Sequence, residues 1–249
     1  MPFLEQEKSM EYSYNEIFTR SIRLIGEDAQ ERLHHAHAAV FGLGGVGSHT
    51  AEALARAGLG TLTLIDKDVV DISNINRQAV ALTTTVGRPK TEVMAERIRQ
   101  IHPQITLYSH KFFFLKPEDG AILSPQPDFI IDAIDNVTGK LALAEYARKA
   151  GIPMIMCLGT GNKLDPGLFQ ITDIYRTSVC PLAKVMRKEL RSRNFTSMPV
   201  LFSTEPPLRA LTPPGSISFV PPVAGYMLAG YAVRYLLGKE PLQWQNSDS

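Results

Sequence analysis

Cysteine is nearly absent: the chain has two, Cys157 and Cys180, and no Cys-x-x-Cys pair. That excludes a four-cysteine zinc site within one chain and argues against a disulfide scaffold, so a reducing, cytoplasmic setting fits best. Net charge is missing too, with 26 lysines and arginines against 25 acids. No global field draws the chain to nucleic acid or membrane, and an RNA surface would have to be a local basic patch. Residues 1–18 carry acids and no continuous apolar stretch, and do not read as a signal peptide. No run is apolar enough to span a membrane. The nearest, 219–237, holds Pro221, Pro222, Gly225, Gly230 and Arg234. Its charge-free part falls short of the roughly 20 residues a span needs, so it reads as a buried C-terminal helix and membrane contact is not expected. There is no internal repeat and no low-complexity tract.

What is present suits a single domain. The 249 residues are 44% hydrophobic and 20% charged, ordinary for a globular protein with a sizeable core. Residues 13–35 read as a helical extension carrying Arg20 and Arg23. Ala38–Phe41 reads as a strand, ended by Gly42-Leu43-Gly44-Gly45-Val46-Gly47. A helix follows with Ala51, Leu54, Ala55 and Gly58 at i, i+3, i+4 and i+7, then a strand over Thr61–Ile65. A helix opens near Gly87-Arg88-Pro89-Lys90, with Met94, Ile98 and Ile101 facing inward. Strands are expected at Ile105–Tyr108, Phe129–Ile131 and Pro153–Met156, with a helix over Lys140–Ala150 before the last. This alternation predicts an α/β fold, a Rossmann-like, mainly parallel sheet with helices on both faces. The nucleotide-binding core is expected over about 13–165 and a substrate-facing extension over about 166–240. In the extension, Phe169–Ile174 reads as a strand, Pro181–Arg193 as a basic helix, 194–218 as a long surface loop and 243–249 as a disordered tail.

The glycine cluster carries chemistry. In Gly42-x-Gly44-x-x-Gly47 the first glycine allows the turn and the second lets a phosphate approach the backbone. The third lets helix and strand pack closely, with phosphate at the helix N-terminus. Asp66 follows at the end of the next strand, placed to accept from ribose hydroxyls or to cap the following turn. These features do not separate NAD from ATP. Arg77 and Lys90, downstream of Asp66, favour ATP, because a triphosphate carries about four negative charges and needs neutralising cations. Asp132 and Asp135 fall at the carboxyl end of the fourth strand, facing the ligand crevice. Asp135 is the better candidate to hold Mg²⁺ between phosphates, and Asp132 to cap a loop.

Gly42, Gly44, Gly45, Gly47, Asp66, Asp68, Asn74, Arg77, Gln78, Lys90 and Asp135 together resemble the ubiquitin-activating-enzyme-like superfamily of adenylating enzymes. The resemblance spans about residues 15–160. It implies an ATP- and Mg²⁺-dependent enzyme that forms an acyl-adenylate, built as a homodimer in which an N-terminal arginine reaches the partner's ATP site. Arg20 sits where that arginine would lie, with Arg23 as the fallback. Gly159-Thr160-Gly161-Asn162-Lys163-Leu164-Asp165-Pro166 and Pro181-Leu182-Ala183-Lys184-Val185-Met186-Arg187 are similar to the branch that dehydrates threonylcarbamoyladenosine in tRNA. That similarity implies a tRNA partner and leaves open a sulfur-transfer protein partner and a monovalent cation near the Asn162 loop.

Lys184, Arg187, Lys188 and Arg191 fall at i, i+3, i+4 and i+7 and so share a helix face. The face is either a solvated charged surface or, with the resemblance, a tRNA contact. Cys180 beside this helix reads as packed rather than as a thioester nucleophile, and Cys157 as core. Three rivals remain: an NAD-dependent oxidoreductase, an activator of a sulfur-carrier or ubiquitin-like protein tail, and a binding module without catalysis. The first leaves Arg77, Lys90 and Asp135 unexplained. The second lacks the zinc cysteines such enzymes often carry. The third does not account for Arg77, Lys90 and Asp135 all being present.

Overall fold

A computed structural model describes residues 12–209, 211 and 213–239. The tail at 243–249 lies outside the described residues. Seven strands form one sheet: β1 (His37–Phe41), β2 (Thr61–Ile65), β3 (Thr106–His110), β4 (Phe129–Asp132), β5 (Met154–Cys157), β6 (Phe169–Asp173) and β7 (Pro199–Ser203). Their order is β3-β2-β1-β4-β5-β7-β6. Every pairing is parallel except β6 against β7. The chain runs outward from β1 to β3, then returns to β4 on the other side of β1. The strand order therefore reverses between β1 and β4, where sheets of this kind open a ligand crevice at their carboxyl ends.

The helices are α1 (Tyr14–Ile17), α2 (Thr19–Ile25), α3 (Glu27–His35), α4 (Gly47–Arg56), α5 (Lys90–Ile101), α6 (Val137–Ala150), α7 (Pro181–Ser192) and α8 (Val220–Leu236). They cover both faces of the sheet because successive strand residues point to opposite sides. On β1, Ala38 and Val40 join one core with Leu33, Leu54, Met94, Ile98 and Leu228 of α3, α4, α5 and α8. Ala39 and Phe41 join the other, with Leu143, Met186 and Leu190 of α6 and α7. The apolar stretch 219–237 is α8, buried along much of its length, and among the described residues no helix is long and apolar enough to cross a membrane.

Two expectations need correction. Residues 13–35 are not one helix: the chain breaks at Phe18 and again at Gly26, whose φ of 88° lies where L side chains are strained. Residues 194–218 are not all surface loop. Within them β7 is buried at all five positions and sits between β5 and β6. Its run Pro-Val-Leu-Phe-Ser is short and apolar, and the flanking Pro, Ser and Thr mask it. The extension thus completes the sheet that the core begins. The first helical turns are anchored by Tyr14, whose hydroxyl donates to the Gly58 carbonyl at 2.6 Å and whose ring packs on Phe18, His34 and His102.

Candidate active site

A cleft of about 640 Å³ opens at the switch point. Its floor is the loop from β1 to α4. Gly42 turns there at φ 85°, and a Cβ on it would meet the Ala133 carbonyl oxygen at 2.6 Å. Gly47 is held more tightly still: its Cβ would come within 1.7 Å of the Gly42 oxygen. This is the close helix–strand packing assigned to the third glycine.

Asp66, just past β2, is 8% exposed and holds the loop in shape. Its carboxylate accepts from Leu43 N–H at 2.5 Å and from Asp68 N–H at 2.7 Å. Burial pushes its carboxyl above the usual range, against the opposing pull of the Lys90 ammonium. Lys90 opens α5 and is 6% exposed. Its Nζ lies 3.3 Å from Asp68 and its N–H donates to the Asp68 carbonyl. Arg77 is anchored by Nη1 donating to the Ser73 carbonyl and to Asn76 Oδ1, both at 2.9 Å. The first turn of α4 fixes the same loop. Ser48 Oγ donates to the Gly44 carbonyl and accepts from Ala79 N–H, while a His49 ring nitrogen lies 3.1 Å from the Arg77 carbonyl. Gln78 presents a buried side-chain oxygen that has no partner among the described residues.

Across the cleft, the loop after β4 carries Asp135, exposed and with no hydrogen-bond or ion-pair partner among the described residues. Asp132 behind it is 0% exposed and accepts from Ile134 N–H at 2.9 Å, so it does cap that loop. It also pairs at 3.2 Å with Lys140, itself fully buried. Burial pushes the Asp132 carboxyl up in spite of that partner.

The cleft therefore gathers Gly42, Gly44, Gly45, Asp66, Asp68, Arg77, Gln78, Lys90 and Asp135. Gly47 and Asn74 stand behind the lining. Asn74 shapes the turn, its Oδ1 accepting from Asp71 N–H and its carbonyl from Arg77 and Gln78 N–H. Arg20 and Arg23 are exposed on α2 and do not line their own chain's cleft. The basic face of α7 is divided. Arg187 donates to the Thr177 carbonyl at 2.9 Å, and the Arg191 guanidinium lies 4.9 Å from the Tyr175 ring centre. Lys184 and Lys188 are exposed and form no ion pair among the described residues.

Two stretches absent from the sequence expectations also line the cleft. One is Phe112–Phe114, a run of three aromatics one residue beyond β3; position near a strand's carboxyl edge was the available signal. The other is 213–216, which no local pattern marks. It is tied back by Asn76 Nδ2 donating to the Ser216 carbonyl and by Asn162 Oδ1 accepting from Gly215 N–H. Asn162, in the loop where the resemblance leaves open a monovalent cation, thus has its side-chain oxygen engaged by a backbone N–H. Among the described residues no group of three His, Cys, Asp or Glu side chains is arranged to hold a metal.

The ThiF family profile matches residues 18–247, nearly the whole chain. The chain belongs to the ThiF family. This ThiF-family chain is 40% identical over 239 residues to a tRNA threonylcarbamoyladenosine dehydratase of Bacillus subtilis, covering 88% of this chain and 94% of that one. It is 43% identical over 180 residues to the Escherichia coli enzyme of the same name, covering 72% and 67%. The crystal structure of the E. coli dehydratase in complex with ATP superposes with a TM-score of 0.85 at 38% identity, over 90% of this chain and 95% of that one.

Proposed function

We propose that this chain is an ATP-dependent tRNA threonylcarbamoyladenosine dehydratase. The observation that carries the reading is the cleft itself: the glycine loop, Arg77, Lys90 and Asp135 share one cavity in a chain that matches the B. subtilis and E. coli dehydratases over most of its length. The carboxylate of the threonyl group attacks the α-phosphorus of ATP, forming a mixed anhydride and expelling pyrophosphate. An internal nucleophile of the same modification then attacks the activated carbonyl, closes the ring and expels AMP. The net change in the nucleoside is loss of one water. Closure within one molecule requires positioning rather than an enzyme nucleophile.

Arg77 and Lys90 stabilise the phosphate charge that grows as pyrophosphate leaves. Asp66 serves the ribose, since each of its oxygens keeps a lone pair beyond the single backbone N–H it accepts. Asp135 suits Mg²⁺, because its carboxylate has no partner among the described residues and would repel phosphates in the same cleft without a cation between them. Mg²⁺ commonly takes one or two carboxylates, with phosphate oxygens and waters completing its shell. When bound it supplies charge neutralisation along the triphosphate. Arg20 serves the cleft of a second copy of the chain, and α2 also exposes Leu24 at 85%, which such a copy would cover.

The tRNA lies along the outer face of α7 through Lys184 and Lys188, the two basic side chains there without a partner among the described residues. Replacing both with Ala should flatten the dependence of log affinity on log salt by roughly one to two units. An unchanged slope in a filter-binding titration would remove this face from the proposal. The function is tested by incubating the protein with ATP and tRNA bearing the modification, then weighing the nucleosides. Loss of one water mass, dependent on ATP, is expected. ATP consumed only with a Gly-Gly-ended protein, and no mass change, would overturn the assignment.

A further inference from the structure

Beneath the cleft lies an arrangement that contacts no solvent and that the proposed chemistry does not itself use. Lys140 and Asp132 are each 0% exposed, and neither lines the cleft. Lys140 Nζ donates to Asp132 Oδ1 at 3.2 Å and to the Cys157 carbonyl at 2.6 Å. The other Asp132 oxygen is buried without a partner among the described residues. A fully buried pair with one orphaned oxygen is a poor stabilising device, since well-packed apolar side chains avoid its desolvation cost. Its placement suggests another use.

Asp132 and Cys157 are the last residues of β4 and β5. The register between these strands ends at Asp132 and Met156, so the ladder does not reach the loops beyond. Lys140 extends the tie by one step. Through Asp132 it holds the loop that carries Asp135, because the same oxygen accepts from Ile134 N–H. Through the Cys157 carbonyl it holds the loop 157–161, another part of the lining. Lys140 is itself set by the first turn of α6, where its N–H donates to the Asn136 carbonyl and Asn136 caps the helix. Two segments of the cleft lining and the helix α6 thus meet on one ammonium group.

We propose that Lys140 and Asp132 are positioning residues: the pair couples the Asp135 loop to the 157–161 loop and holds the two at the separation adenylation needs. The inference rests on the function proposed above. It assigns no contact with ATP to either residue, so it concerns turnover rather than nucleotide binding.

The test uses the full chain carrying Asp132→Asn and Lys140→Met, which leaves no buried charge unpaired. ATP affinity should stay within about threefold of wild type, while kcat falls roughly tenfold or more, as expected when reacting groups are misplaced by a fraction of an ångström. Amide hydrogen exchange should quicken together in 133–136 and 158–161, by about tenfold, and stay unchanged in β1. If the double variant does not fold, Asp132→Leu with Lys140→Met replaces it. Wild-type kcat in the folded variant, or exchange unchanged in either loop, overturns the proposal. A wild-type protein inactive on tRNA would instead sink the functional reading, and the exchange data would still decide the coupling.

Discussion

Lys90→Ala should lower ATP-dependent turnover by about 10²–10³-fold, the usual loss when one preorganised charge-stabilising group is removed from a reaction centre. Lys90 is fixed at the start of α5, and that rigidity makes its charge effective. Its backbone N–H is tied to the Asp68 carbonyl and its ammonium to the Asp68 carboxylate. The first of these bonds survives in alanine. Asp68 is 49% exposed on its side chain and has Lys67 at 3.6 Å, so its charge is not stranded by loss of Lys90. The buried Asp66 loses the pull of that ammonium but keeps the Leu43 and Asp68 N–H groups it accepts from. Melting temperature should therefore change little while kcat collapses. The two measurements together separate a catalytic role from a structural one. Turnover within about threefold of wild type would show that another group carries the phosphate charge.

Much of this site was legible because its parts are local in sequence. The glycine fingerprint, the acid at the end of β2 and the cations of the following loop each lie within a few residues of a strand's carboxyl end, and parallel α/β sheets bring those ends together. Asp132 as a loop cap could be assigned for the same reason. What escaped was set by distance along the chain. β7 completes the sheet with five residues whose neighbours look like loop, and only its pairing with β5 and β6 makes it a strand. Arg187 and Arg191 have the spacing of an open basic face, yet Thr177 and Tyr175 claim them from outside the helix. Lys140 stands in the sequence only as the start of an expected helix, and nothing local marks it as buried. Its burial is visible only once β4 and β5 are placed under it.

A pair of identical substitutions, three residues apart, should separate what the glycine loop does for the fold from what it does for the ligand. In Gly47→Ala the new methyl would stand 1.7 Å from the Gly42 oxygen and 2.9 Å from its carbonyl carbon. Both are backbone atoms, so no side chain can move aside, and α4 must shift off β1. Overpacking of this kind costs about 3 kcal/mol or more, which in a domain of this size lowers Tm by roughly 6–12 °C. In Gly44→Ala the methyl meets only the Gln78 side-chain nitrogen, at 3.9 Å. Stability should hold to within about 1 kcal/mol. The space filled is the side of the loop where a phosphate would approach, so ATP affinity should fall roughly 100-fold, about 2.7 kcal/mol. Thermal shift reads both effects in one experiment, because a ligand raises Tm only as far as it binds the folded chain. Gly44→Ala should melt like wild type without ATP and gain little when ATP is added. Gly47→Ala should melt early in either case. An undiminished ATP shift in Gly44→Ala would mean that the phosphates do not pass over this glycine, and the nucleotide would have to be placed elsewhere in the cleft.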